Sequence, residues 1–230
     1  MRFSMQKIGF FGGSFNPVHA GHIILVNDLK KYLELDLVQI ILNSNPPHKS
    51  QSAVSYEDRF NMLKLAFSDI EDTVINDKER DNNVVHYTYD TLKELREIYG
   101  KDSALFFMMG YDSLCTLDSW KNGFNLTDFA HLAVISRPQY SADNLPYSVR
   151  NYLKNRLVLK ENYKEFKDAL NTPLGKVFWI DEKEADISST QLRTLIKESY
   201  QTPQFFYSKL EPFMNKKVIE YIKNHSLYSD

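Results

Sequence analysis

Short apolar runs alternate with helix-spaced segments from the start of this chain, and that rhythm leaves few architectures open: βαβ units joined into a mostly parallel sheet. Lys7 to Phe11 is an apolar run that stops at Gly12-Gly13, and Val18 to Leu33 has helical spacing. Leu37 to Leu42 reads as a second strand, followed by the turn Asn45-Pro46-Pro47. Ser55-x-x-Asp58 can cap a helix whose apolar positions are Phe60, Leu63, Leu65 and Phe67. Thr73 to Ile75 is a third strand, and Thr88 to Tyr99 a helix stopped by Gly100. Ala104 to Met109, His131 to Ser136 and Lys176 to Ile180 complete the strands. Residues 141–170 are polar, contain Pro146 and lack strand rhythm, which suggests a peripheral helical segment. Ser189 to Glu198 and Asn215 to His225 are helical, the latter with Val218, Ile219 and Ile222 on one side. The expectation is an α/β doubly wound, mostly parallel sheet with helices on both faces and C-terminal helical decoration. It forms one domain over residues 1–230, with 1–6 frayed.

Composition removes several function classes. Lys and Arg number 28 against 30 Asp and Glu, a net charge of −2, so no global positive field awaits a polyanion and nucleic acid is not an expected partner. The most apolar runs, Leu37 to Leu42 and Ala104 to Met109, are far shorter than the roughly 20 residues of a membrane-spanning helix. Cys115 is the sole cysteine, which excludes an intramolecular disulfide or a multi-cysteine zinc site and suits a cytoplasmic location.

Parallel sheets bind ligands at the carboxyl ends of their strands, so strand-to-helix turns carry the chemistry. The first turn reads Gly12-Gly13-Ser14-Phe15-Asn16-Pro17-Val18-His19-Ala20-Gly21-His22. Asn16 is a favoured N-cap and Pro17 a favoured first helical residue, which predicts a helix starting there with its positive end near the glycines. His19 and His22, three apart, would share a face, and two imidazoles beside a helix N-terminus suit phosphate oxygens. Neither a P-loop nor a dinucleotide-binding glycine spacing is present. Zinc on His19 and His22 is compatible with their spacing, but no third ligand lies nearby in the sequence.

The second feature is Ile187-Ser188-Ser189-Thr190-Gln191-Leu192-Arg193. Ser188 or Ser189 can cap a helix, and Arg193 falls on the same side as the early hydroxyls, so hydroxyl, amide and guanidinium converge on an anion.

Together the two segments resemble the (T/H)-x-G-H and I-S-S-T-x-x-R signatures of the nucleotidylyltransferase superfamily. Further stretches are similar to the bacterial nicotinate-nucleotide adenylyltransferases: Asn43-x-x-Pro46-Pro47-His48-Lys49, Tyr87-Thr88-x-x-Thr91-Leu92, Gly110-x-Asp112-Ser113 followed by Trp120, and Ser136-Arg137-Pro138. The resemblance implies a Rossmann-like fold and transfer of AMP from ATP to nicotinate mononucleotide. The products would be deamido-NAD and pyrophosphate, formed by direct attack at the α-phosphorus without a covalent enzyme intermediate.

By the same resemblance His19, His22 and Arg193 are catalytic. ATP would contact Gly12, Gly13, Ser14, Phe15, His19, His22, Asp112 (near a ribose) and Arg137. Ser188, Ser189, Thr190 and Arg193 would hold the departing pyrophosphate. Asn43, Lys49, Thr88 and Trp120 would bind the mononucleotide, Trp120 by stacking on the pyridine ring. Mg²⁺ would ride on ATP phosphates and water, with no protein metal ligands. Ser14 stands where the family commonly has Thr, and Asn16 where it has Asp; both keep the hydroxyl or capping oxygen. Competing readings are an adenylyltransferase for nicotinamide mononucleotide or another acceptor such as phosphopantetheine, and a nucleotide-binding module without turnover.

Overall fold

The computed structural model describes residues 5–44, 54–81, 84–136, 140–181 and 187–229. Seven strands form one sheet: β1 (Lys7–Gly13), β2 (Leu37–Leu42), β3 (Thr73–Asn76), β4 (Ala104–Gly110), β5 (His131–Ser136), β6 (Leu157–Leu159) and β7 (Val177–Asp181), in the order β3-β2-β1-β4-β5-β7-β6. The pairs β1/β4, β4/β5, β5/β7 and β6/β7 are all parallel. The intervening helices are α1 (Ala20–Tyr32), α2 (Tyr56–Ala66), α3 (Thr88–Tyr99), α4 (Tyr111–Cys115), α5 (Tyr147–Leu153) and α6 (Tyr163–Leu170); α7 (Ser189–Gln201), α8 (Phe206–Leu210) and α9 (Lys216–Asn224) follow the last strand. This is a Rossmann-like α/β fold. Strand order moves outward from β1 to β3, then resumes with β4 on the other side of β1. The carboxyl ends of β1 and β4 therefore mark the switch point at which such sheets bind ligands.

Contacts group the chain into two compact units. One holds Met1–Gly12, Lys30–Gln39 and His86–Lys183; the other holds Gly13–Leu29, Ile40–Val85 and Glu184–Asp230. In the first unit β4 is buried along its whole length except Gly110, as a central parallel strand should be. Phe106 and Phe166 pack on Phe178 at ring distances of 5.6 and 5.1 Å. His131 is fully buried, its Nε2 bonded to the Thr172 carbonyl at 2.8 Å and its Nδ1 accepting the Lys176 N–H at 3.1 Å. Burial pulls its pKa down to about 4, so it is a neutral core residue. Arg96 ties the same unit together by donating to the carbonyls of Phe129, Gly100, Ser103 and Pro173 at 2.7–2.9 Å.

In the second unit the Ser55 hydroxyl caps α2 by accepting the Asp58 N–H at 3.0 Å. Helix α9 starts at its Asn215 cap and buries Val218, Ile219 and Ile222. Tyr221 links α9 to α2, donating to Asp58 at 3.0 Å and accepting from Asn61 at 3.1 Å.

Two sequence expectations are corrected. The helix after β1 begins at Ala20, not at Asn16-Pro17, which form a turn with a cis peptide bond. Asn16 is no N-cap because its side chain and carbonyl are engaged by residues far along the chain: Tyr228 donates to Oδ1 at 2.7 Å and Arg193 to the carbonyl at 2.8 Å. The second correction concerns residues 141–170, which hold α5 and α6 but also the strand β6, paired with β7 at the sheet edge.

Candidate active site

The second unit gathers most of the residues expected to meet ATP. Strand β1 runs through Gly12 to Gly13, and the chain then turns sharply at Phe15, a non-glycine residue at φ +41°. Gly13 lets the Phe15 ring lie close: a Cβ there would sit a tight 3.0 Å from two atoms of that buried ring, which would have to shift. The Phe15 ring sets its edge against His22, with centroids 5.0 Å apart. His19 immediately precedes α1 and His22 lies in its first turn, and their rings approach to 3.7 Å. Thus the histidine pair forms as expected, although the helix starts later.

The His19 backbone N–H donates to Nδ1 of His22 at 3.2 Å, which places the His22 proton on Nε2 when the ring is neutral. Burial pulls His19 down to about 4. Burial, with a smaller contribution from the charge of His19, holds His22 well below its ordinary 6.5. Both imidazoles are therefore neutral near pH 7 in the unliganded protein. His19 Nδ1 is buried and finds no hydrogen-bond partner among the described residues.

Helix α7 brings the second motif to the same loop. Ser188, rather than Ser189, is the cap: its Oγ accepts the Gln191 N–H at 3.2 Å while Gln191 accepts the Ser188 N–H at 2.9 Å, a complete capping box. This leaves the Ser189 hydroxyl to donate to the Pro17 carbonyl at 3.1 Å. Arg193 donates to the Asn16 carbonyl at 2.8 Å and to the Thr190 hydroxyl at 3.1 Å. A 172-residue separation between Pro17 and Ser189 is thereby closed within one unit. The Ser189 hydroxyl and the Arg193 guanidinium, which could face an anion, donate to carbonyls of this loop.

Asn43, at the end of β2, joins this group, its N–H donating to the Gly13 carbonyl at 2.9 Å. One participant was not read from the sequence. Arg59 on α2 is 3% exposed, and its guanidinium donates to the carbonyls of Ser14 at 2.8 Å, Asn43 at 2.9 Å and Ser44 at 3.3 Å. It thus ties the loop after β1 to the loop after β2. The available signal was a charge lying on the apolar stripe of a helix, between Tyr56, Phe60 and Leu63.

The first unit holds the residues expected to meet sugar and pyridine. Asp112 is exposed in α4, directly after the end of β4. Thr88 is the first residue of α3, whose start carries no side-chain cap. Half-buried Trp120 donates its indole N–H to Thr116 at 3.3 Å and sets its ring against Phe107 at 6.5 Å. Lys121 binds this segment to α3 through an ion pair with Asp90 at 2.7 Å and a cation–π contact with Tyr87 at 4.7 Å. Thr88 and Trp120 are thus joined through adjacent residues. Lys49 and Arg137, with His48 and Pro138, lie outside the described residues.

Among the described residues no three His, Cys, Asp or Glu side chains come together as metal ligands, and no helix is long and apolar enough to cross a membrane.

Comparison with known proteins agrees with this geometry. The cytidylyltransferase-like family model matches residues 10–195, a span that includes both histidines and Arg193. A Coxiella burnetii protein described as a probable nicotinate-nucleotide adenylyltransferase is 31% identical over 96% of this chain and 97% of its own length. A Pseudomonas aeruginosa protein with the same description is 30% identical over 97% of both. The Plasmodium falciparum nicotinic acid mononucleotide adenylyltransferase, solved in complex with NaAD, superposes with a TM-score of 0.69 at 18% identity, covering 97% of each chain. Full-length kinship and a shared fold leave one placement: this chain belongs to the cytidylyltransferase-like family, among the nicotinate-nucleotide adenylyltransferases.

Proposed function

We propose that this protein transfers the adenylyl group of ATP to nicotinate mononucleotide, giving deamido-NAD and pyrophosphate, in the cytoplasm. The observation that carries the reading is the meeting of His19, His22, Ser189, Thr190 and Arg193 around one loop of the second unit. Near-full-length relatives at about 30% identity bear the corresponding description.

In this reading a phosphate oxygen of the mononucleotide attacks the α-phosphorus of ATP, and the bond to the β-phosphate oxygen breaks as pyrophosphate leaves. No group of the protein bonds covalently to the nucleotide, so the residues act by positioning and by charge stabilisation. His22 presents Nε2–H to a phosphate oxygen, because its Nδ1 is already occupied by the His19 backbone N–H. Arg193 exchanges the Asn16 carbonyl for pyrophosphate oxygens, a stronger, charge-assisted partner. Ser189 and Thr190 add hydroxyls, while Ser188 serves by capping the start of α7. Gly12, Gly13, Ser14 and Phe15 shape the loop; Asp112 meets a ribose, and Arg137 the adenine or a phosphate. Thr88 and the start of α3 receive the nicotinate carboxylate, Trp120 stacks on the pyridine, and Asn43 and Lys49 contact the mononucleotide.

A divalent ion, Mg²⁺, would ride on the nucleotide's own phosphates and water. When bound it neutralises phosphate charge.

The test is product identification after incubation with ATP, Mg²⁺ and nicotinate mononucleotide. Deamido-NAD and pyrophosphate in equal amounts are expected, with no adenylylated protein when the acceptor is omitted. Absence of the dinucleotide would sink the proposal, and a stable adenylyl-protein would sink direct attack.

A further inference from the structure

The loop from Ser14 to Pro17 has to keep a non-repetitive backbone, with Phe15 at φ +41°, while neighbouring groups change partners. Among the described residues, four side-chain donors reach it. Arg59 donates to the Ser14 carbonyl at 2.8 Å, Arg193 to the Asn16 carbonyl at 2.8 Å, Ser189 to the Pro17 carbonyl at 3.1 Å, and Tyr228 to Asn16 Oδ1 at 2.7 Å. Two of the four donors, Arg193 and Ser189, are the groups that turn to pyrophosphate in the adenylyl-transfer reading. Two of these ties therefore weaken when ATP arrives, while the Tyr228 bond to the Asn16 side chain does not depend on a phosphate-binding group.

We propose that Tyr228 is a positioning residue for ATP, holding the loop through the Asn16 side chain while Arg193 engages phosphate. The assignment rests on the proposed function. The geometry around Tyr228 is built for such a hold. Its segment follows α9 and is fixed from the other side by Tyr200 of α7, whose hydroxyl donates to the carbonyls of Ile222 at 3.0 Å and Leu227 at 3.2 Å. Ser226 and Tyr228 both take left-handed backbone, at φ +51° and +63°. Such conformations are uncommon for side-chain-bearing residues and persist where surrounding contacts over-determine them. Burial raises the phenol's pKa, so it stays protonated and remains a donor, even with the charges of Arg59 and Arg193 near it. The contact spans 212 residues of sequence, and no motif in the chain announces it.

The test compares the native chain with Tyr228→Phe, Asn16→Ala and the double variant, varying ATP and nicotinate mononucleotide separately and recording thermal melts. Tyr228→Phe removes one hydroxyl and keeps the ring. Its kcat/KM for ATP should fall about three- to tenfold, the worth of one such hydrogen bond. Its KM for nicotinate mononucleotide should stay within about twofold, the factor for a site without that bond. The double variant should be no worse than Asn16→Ala alone, because both changes remove one interaction. Unchanged ATP constants, additive losses, or equal losses for both substrates with a lowered melting temperature would each overturn the proposal. Failure of the native chain to make deamido-NAD would overturn the functional reading and this inference with it.

Discussion

Arg193 holds the Asn16 carbonyl and, in the proposed reaction, turns to pyrophosphate. His22 is likewise prepared in advance, with one ring nitrogen occupied and the proton on the other. Preorganised donors aimed at developing charge are typically worth a factor of about 10² to 10³ in rate. Arg193→Ala and His22→Ala should each lower kcat/KM by about that much, measured by pyrophosphate release. Wild-type-like rates in either would remove that residue from the machinery. Arg59 differs, since its guanidinium is buried and, among the described residues, donates to three loop carbonyls. Arg59→Lys keeps the charge but cannot span the loops after β1 and β2, because an ammonium lacks the planar fork. Urea unfolding should show a loss of roughly 1–3 kcal/mol from the carbonyls left without donors. A variant as stable as the native protein would contradict this role.

At the scale of elements, the turn after α4 shows how the Trp120 segment is held. A Cβ at Gly123 would sit 1.9 Å from the Leu117 carbonyl oxygen and 3.1 Å from the Trp120 Cβ, so the backbone must move to admit one. Gly123→Ala should cost roughly 1–3 kcal/mol in stability, as overpacking does. It should also raise KM for nicotinate mononucleotide more than KM for ATP, and a variant with both constants native would refute the link to Trp120. Most elements were legible in the sequence because each had its own local signal. Leu37–Leu42 and His131–Ser136 were bounded correctly as apolar runs, and Thr88–Tyr99 by Gly100 at φ +73°. Strand β6 was not legible, because three residues on a sheet edge leave no periodicity and owe their conformation to β7. Pro17 misled for a related reason: its local helix-start preference yielded to bonds that Asn16 and Pro17 receive from residues 189, 193 and 228. The histidine and serine motifs could be read, as each is contiguous. Arg59 and Tyr228 could not, since their meaning lies entirely in distant partners.

For the whole molecule, three neutral histidines, His131 buried and His19 and His22 half-buried, set the acid response. His19 and His131 are each lowered from 6.5 to about 4 and His22 well below 6.5, all chiefly by burial. A lowered histidine pKa means that the unfolded chain binds more protons in this interval. The histidine contribution to stability is therefore complete above 6.5 and is lost as pH falls from there toward 4. Glu34, lowered from 4.5 to about 2 by hydrogen bonds to Lys167 and Lys7, acts only below that interval and is largely exposed. Denaturant midpoints should drop between about pH 6.5 and about pH 4.5, and His131→Asn should flatten the drop. A flat native profile across that range would contradict neutral imidazoles. The central claim, adenylyl transfer to nicotinate mononucleotide, is tested most directly by pyrophosphate release with ATP and Mg²⁺, comparing nicotinate mononucleotide, nicotinamide mononucleotide and phosphopantetheine at matched concentrations. A strong preference for nicotinate mononucleotide is the predicted result; preference for either other acceptor, or no release with any of them, would contradict it.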